Sequence, residues 1–267
     1  MPTSQNTSKQ SSVDLIWATL MFFTRLPFWR FKSVSPECFK HVVDYWPLVG
    51  WLTGGVMALT FWLTSMFFPS TIAVWFAVGA RLLLTGALHE DGLADFADGF
   101  GGGNSRERIL AIMKDSHIGT YGVLGLIFYA GLLTNTLKII PLTATPLLLL
   151  CGDIYAKACS SIIIRQLPYA RTIEQSKAHV IYEPWYGKAA LYHLLRCLIC
   201  VLPAVILLYE KTGLTFFWAF IAPPVIEILL FYLMKRRIQG YTGDCCGATF
   251  LLSELGFYLT ATAAGCL

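Results

Sequence analysis

Charge is what this sequence has least of. Only 13% of its 267 residues are Asp, Glu, Lys or Arg, against roughly 25% in an ordinary soluble domain. With a mean hydropathy of +0.60, that scarcity excludes a water-soluble globule and makes the chain an integral membrane protein. A zinc ribbon and a disulfide framework are excluded as well. The eight cysteines are scattered, mostly within apolar runs, and Cys197-x-x-Cys200 has no second half, so they read as small buried apolar residues. No G-K-[ST] follows a glycine run, which removes a Walker loop. No internal repeat is visible, and residues 13–267 read as a single transmembrane catalytic domain. Residues 1–12 are polar with one lysine, and no small-residue cleavage site follows the next apolar run. They read as a disordered tail rather than a signal peptide.

What is present is a series of long apolar stretches. Runs near residues 45–68, 71–89, 118–136, 139–164, 189–209, 214–234 and 248–267 each approach or exceed the roughly 20 residues needed to span a bilayer. The expected fold is an all-α polytopic membrane bundle of about seven transmembrane helices. Residues 13–26 are shorter, hold Arg25 and close on Pro27, so a re-entrant or interfacial helix is expected there. Basic residues gather at Arg30, Lys32 and Lys40, at Arg106, Arg108 and Lys114, at Arg165, Arg171, Lys177 and Lys188, and at Lys235, Arg236 and Arg237. These groups alternate with the runs, which places them in the cytoplasm by the positive-inside rule. The net charge of +4 follows from that topology and is no argument for nucleic acid. The sequence predicts a multi-pass protein of a bacterial-type cytoplasmic (inner) membrane, with lipid as its surroundings; a homo-oligomer is compatible with it.

Acidity is concentrated where the chemistry should be, in residues 89–122. If the segment after Ile72 stays helical to Gly99, Asp91, Asp95 and Asp98 fall at i, i+4 and i+7, within a wedge of roughly 60° at about 100° per residue. Three carboxylates on one stripe repel one another unless a cation sits among them. Mg2+ prefers oxygen ligands and is commonly held by one or two carboxylates plus substrate phosphates, so Asp91, Asp95 and Asp98 are the candidate metal ligands. A solvated acidic helix end would normally mix in lysines, and none occurs between Glu90 and Gly103; a carboxylate that merely caps a helix is the other bland alternative. Glu90 and His89 project away from the stripe. Gly101 to Gly103 allow a tight turn and a close approach to ligand, and Asn104 with Glu107 suggests a capping box for a helix ending at Lys114. Lys114 and Asp115 then offer a phosphate-neutralising cation, or a mere membrane anchor, beside a further ligand. Two more polar islands fall on the same side: Lys157 to Arg171, and residues 240–247 with Asp244. An ionisable group inside a span, such as Lys157, is a functional candidate by default, although a snorkelling lysine is the plain alternative. Arg81 and Arg196 are expected to pair with acids such as Glu227 and Glu254.

Taken together, His89-Glu90-Asp91-Gly92-Leu93-Ala94-Asp95-Phe96-Ala97-Asp98-Gly99, Met113-Lys114-Asp115-Ser116 and Ile118-Gly119-Thr120-Tyr121-Gly122 resemble the signature of the cobalamin synthase family, the adenosylcobinamide-GDP ribazoletransferases. Phe23-Thr24-Arg25-Leu26-Pro27, Trp46-Pro47-Leu48-Val49-Gly50, Tyr169-Ala170-Arg171 and Gly243-Asp244 with Gly247, Ala248 and Glu254 are similar to further family motifs, in the family's order. Four places depart from the family's pattern. The stretch after Arg171 lacks the usual acidic and glycine-containing residues, Lys157 and His117 stand where arginine is common, and Cys245 stands where threonine is. The resemblance implies a transferase that joins adenosylcobinamide-GDP to alpha-ribazole or its 5′-phosphate with release of GMP and a need for Mg2+. It also implies an open cytoplasmic cavity. Asp91, Asp95, Asp98 and Asp115 are the catalytic candidates, and His89, Lys114, Gly119, Lys157, Arg171 and Asp244 the substrate-binding ones.

Two other classes compete. A CDP-alcohol phosphotransferase uses the same carboxylate and Mg2+ logic but expects Asp-Gly-x-x-Ala-Arg, and here Asp95 follows Ala94. A transporter expects inverted repeats and broken helices near the membrane centre, whereas these acids gather at its edge.

Overall fold

The computed structural model describes residues 11–172 and 180–265, and within them the protein is a bundle of α-helices. Residues 1–10 of the expected tail and the loop residues 173–177 lie outside the described residues; Ser11 caps the first helix by accepting from Val13 N. The helices are α1 (Ser12–Phe23), α2 (Trp46–Ser65), α3 (Ser70–Thr85), α4 (Leu88–Gly102), α5 (Arg106–Lys114), α6 (Thr120–Leu137), α7 (Thr145–Ser160), α8 (Ile163–Gln166), α9 (Lys188–Thr212), α10 (Ala222–Arg237) and α11 (Gly243–Gly265). A 3-10 stretch, Pro36–Tyr45, leads directly into α2.

Among the described residues, length and apolar content together mark fewer spans than the apolar runs of the sequence do. Five helical segments are long and apolar enough to cross a bilayer: Pro36–Ser65, Thr120–Leu137, Thr145–Gln166, Lys188–Thr212 and Phe217–Arg237. A sixth arises if α3 and α4 count as one broken span. The difference from seven lies in α11, whose polar start and buried Glu254 dilute its apolar content, and in α3, which is cut short. At 12 residues, α1 is well below the roughly 20 needed to span. Large apolar side chains such as Trp62, Trp75, Leu83, Phe128, Ile199 and Leu229 face outward. In water this would be an aggregating surface, and in lipid it is the ordinary one.

The apolar run through residues 71–89 does not form one helix. Gly86 and Ala87 adopt left-handed backbone angles, φ 67° and 56°, and α4 leaves α3 at 92°. Arg25 fixes the break from the loop after α1. Its N–H donates to Leu84 O at 2.7 Å, and its side chain lies so close over Gly86 that a Cβ there would sit 2.1 Å from Arg25 Nε. Glycine is thus required twice at this position, for its backbone and for its missing side chain. The bend carries α4 away from α3 with its aspartate stripe intact.

Two features lock the bundle. The α2–α7 pairing is the most extensive, and Gly50 and Gly54 permit it: a Cβ at these positions would lie 2.7 Å from Ile154 Cα and 3.0 Å from Asp153 Cβ. This is the small-residue contact by which membrane helices approach without a hydrophobic driving force. Beside it runs a buried ion network. Arg81 Nη1 donates to both Glu254 oxygens at 2.6 and 2.7 Å, Arg81 Nη2 donates to Tyr129 Oη at 2.9 Å, and Tyr258 Oη donates to Glu254 at 3.0 Å. Asp153 lies 3.5 Å from Arg81 and Glu90 lies 3.6 Å from it. Of the two arginines expected to pair with acids such as Glu227 and Glu254, Arg81 meets Glu254. Arg196 pairs instead with Asp44 at 3.2 Å, while Glu227 stays apart from both arginines, with its Oε1 unpartnered among the described residues.

Candidate active site

Glycines at the crossing of α4 and α11 build the site. A Cβ on Gly92 would lie 3.1 Å from the Cα and carbonyl oxygen of Asp244, and one on Gly247 would lie 3.2 Å from the carbonyl oxygen of His89. The backbones therefore touch at the first turn of each helix. Asp91 and Asp244 are carried to one cavity, which His89 and Arg171 also line. This is the physical reason for glycine after Asp91 and three residues after Asp244.

Arg171 arrives through the second polar island. Residues 168–170 pair with residue 241: Ala170 N donates to Tyr241 O at 2.8 Å and Tyr241 N to Pro168 O at 2.9 Å. That bridge sets the Arg171 guanidinium 3.6 Å from Asp244, while its Nη2 donates to Leu110 O at 3.0 Å. Arg171 also lines a second cleft with Arg106, Glu107 and Lys114. Three cations, with Glu107 among them, thus continue from the cavity into that cleft.

The three stripe aspartates are not equivalent. Asp91 is exposed at the cavity, Asp95 is buried one turn on, and Asp98 is buried another turn on. Asp98 accepts from Gly119 N at 2.7 Å and from Gly122 N at 2.8 Å, one bond to each oxygen. It thereby closes the N-terminus of α6, where carboxylates are favoured by orphan amides and the helix dipole. A Cβ on Gly119 or Gly122 would come within 2.5 or 2.4 Å of an Asp98 oxygen, which accounts for both glycines of the Ile118-Gly119-Thr120-Tyr121-Gly122 motif. Gly119 serves Asp98 here.

Other expected site residues are placed elsewhere. Lys157 is fully buried: its ammonium contacts Asp153 Oδ1, donates to Thr53 Oγ1 at 3.0 Å and sits 3.9 Å above the Phe250 ring. It neither snorkels nor lines the cavity, because Asp153 one turn earlier satisfies its charge inside the bundle. Asp115 ends α5 on the exposed rim and accepts from both the backbone N–H of His117 at 3.0 Å and its Nδ1. The His117 hydrogen bonds hold its carboxyl below the usual carboxylate range, so it stays ionised and serves poorly as a proton donor. The helix before it is capped by Ser105, which accepts from Arg108 N at 3.2 Å. The cap is one residue later than the Asn104–Glu107 box expected from the sequence, since the chain at Gly103 is still bonded back to Gly99.

Sequence reasoning passed over Phe23, Trp46 and Tyr182, which line the cavity, and Asp153, the partner of Lys157. The i, i+4 spacing of Asp153 and Lys157 was a readable signal. Phe23 and Trp46 each open a motif quoted above, but nothing local brings the rings together, since they come from two helices and a loop.

Among the described residues, no group of three His, Cys, Asp or Glu side chains is close enough to hold a metal ion by itself. The donors present still suit a hard cation. Carboxylates converge on the cavity, and Mg2+ commonly takes only one or two of them and completes its shell with water and phosphate.

Comparison with known proteins places the chain among similar ones over nearly its whole length. The family model described as cobalamin-5-phosphate synthase matches residues 15–262. A protein of Shewanella frigidimarina, named adenosylcobinamide-GDP ribazoletransferase, is 35% identical over 257 residues, covering 95% of each chain. Relatives of the same name from Shewanella amazonensis and Vibrio parahaemolyticus are 37% and 35% identical, covering 92% and 98% of this chain and 94% and 96% of their own. No solved structure matches.

Proposed function

Because the chain belongs to the cobalamin-5-phosphate synthase family, we propose that it joins adenosylcobinamide-GDP to alpha-ribazole or its 5′-phosphate and releases GMP, at a cavity facing the cytoplasm of a bacterial inner membrane. It is a transferase of cobalamin synthesis. A ribose hydroxyl of the acceptor attacks the phosphorus that bears cobinamide. The new ester bond forms as the bond to the bridging oxygen breaks, and GMP departs with that oxygen. The hydroxyl proton leaves to a carboxylate or to water.

The observation that carries this reading is the convergence of Asp91, Asp244 and Arg171 on one cavity through the Gly92–Gly247 crossing. Such a transfer needs positioning and charge stabilisation more than covalent chemistry. Arg171 offers two nitrogens at a fixed place for a phosphate, and Lys114 adds a cation on the rim. Asp91 and Asp95 would hold Mg2+, which when bound offsets negative charge on the pyrophosphate. Asp98, with both oxygens occupied by amides, fixes α6 against α4 and keeps the other two aspartates in place. Asp244 orients Arg171. Lys157 and its network hold α7 and α11 beneath the cavity.

The test is GMP release by protein reconstituted in lipid and supplied with both substrates. GMP that forms only when donor and acceptor are both present supports the transfer. GMP formed from the donor alone at the same rate would make the protein a hydrolase and sink the reading.

A further inference from the structure

The inner end of the cavity differs in chemistry from its charged mouth. Phe23 at the end of α1, Trp46 at the start of α2 and His89 in the first turn of α4 form a wall of three rings. Their planes lie within 20° of parallel and their centroids 5.2–5.9 Å apart. Phe250 meets His89 edge-on at 4.8 Å. Trp46 and His89 are 1% and 2% exposed, yet Trp46 Nε1 and both ring nitrogens of His89 have no hydrogen-bond partner among the described residues. Buried indole and imidazole nitrogens normally find one. Here three such atoms belong to side chains lining the same cavity, and a bound ligand would supply what the protein does not.

That ligand must be flat, largely apolar, and able to accept a hydrogen bond. Both substrates of the proposed transfer carry a base. Guanine has donors and acceptors around its whole edge, and an aromatic wall with only indole and imidazole nitrogens would leave most of them dry and unpaired. A benzimidazole-type base is apolar around its edge apart from the one ring nitrogen not attached to ribose, which is an acceptor. We infer that the Phe23–Trp46–His89 wall seats the base of the acceptor nucleoside, with Trp46 Nε1–H donating to that ring nitrogen and His89 shaping the pocket beside it. The assignment rests on the transferase reading and makes Trp46 a specificity-determining residue. It also orders the cavity. The base lies at the aromatic end, while the ribose hydroxyl and the pyrophosphate meet among Asp91, Arg171 and Asp244.

The experiment is steady-state GMP release by the lipid-reconstituted protein, varying each substrate in turn. Two acceptors are compared: the benzimidazole ribotide, and its indole analogue, in which CH replaces the acceptor nitrogen. Wild type is expected to show a KM for the indole acceptor higher by about tenfold or more, since a site built to bond a group rejects an analogue lacking it. Trp46→Phe should raise KM for the benzimidazole acceptor by a similar factor, leave KM for adenosylcobinamide-GDP unchanged, and no longer distinguish the two acceptors. An equal KM for both acceptors in wild type would overturn the inference without any variant. So would a Trp46→Phe variant whose donor KM rises instead, which would hand the wall to guanine. Absence of GMP from wild type with either acceptor would overturn the transferase reading, and this inference with it.

Discussion

At the level of single residues, the aspartate stripe divides by what each carboxylate touches. Asp91 reaches the cavity, so Asp91→Asn keeps shape and hydrogen bonding but removes charge. Turnover is expected to fall by about 10²–10³-fold, the scale seen when one electrostatic contact to a transition state is lost. Asp115→Asn should cost only a small fraction of that, since Asp115 faces His117 on the rim; parallel rate measurements on the two variants check the contrast. Asp98 makes a separate case. Gly122→Ala would thrust a methyl group to 2.4 Å from an Asp98 oxygen, and Asp98→Asn would remove one of its two amide partners. Both should lower stability by about 1–3 kcal/mol, the cost of stranding a buried hydrogen-bonding group, read as a lowered melting temperature in detergent. The stripe itself was legible because residue type and helical spacing were enough. Asp98's role was not, since its partners lie 21 and 24 residues away, across a turn and a helix whose direction no local pattern records.

At the level of elements, helices were readable where apolar content and length agreed. The sequence run 118–136 corresponds to α6, and 139–164 to Thr145–Gln166. The break at Gly86–Ala87 was hidden, because the apolar residues Leu82, Leu83, Leu84, Ala87 and Leu88 continue through it and only the arrival of Arg25 makes it sharp. The side-chain link between α3 and α11 was foreshadowed by buried ions that needed partners, and Arg81 with Glu254 meets that need. Glu254→Gln should therefore destabilise the protein, by about 3 kcal/mol, because it removes the carboxylate that Arg81 is hydrogen-bonded to and leaves the buried guanidinium only the longer contacts to Asp153 and Glu90. Adding Arg81→Met to Glu254→Gln should recover part of the loss. Thermal unfolding of the single and double variants measures the coupling, and strictly additive losses would count against a direct pair.

At the level of the whole molecule, an outward apolar surface of Trp, Phe, Leu and Ile surrounds a bundle that buries the Arg81–Glu254 ion network and gathers Asp91, Arg171 and Asp244 at the site. Composition alone announced the membrane. It did not give the number of crossings, because α11 mixes apolar residues with Asp244 and Glu254, and because α3 and α4 share one apolar run but two directions. The cavity was legible only as separate motifs, namely the aspartate block, Tyr169-Ala170-Arg171 and Gly243-Asp244. What joins them is the close approach of Gly92 to Asp244 and of Gly247 to His89. The central claim is that phosphoryl transfer takes place there with Mg2+ held by Asp91 and Asp95. The most direct test is GMP formation from adenosylcobinamide-GDP and alpha-ribazole 5′-phosphate across a Mg2+ titration, in wild type, Asp91→Asn and Asp95→Asn. The account expects Mg2+-dependent turnover in wild type and its near loss in both variants. Wild-type turnover that persists in excess chelator, or variants that keep the wild-type rate and Mg2+ dependence, would contradict it.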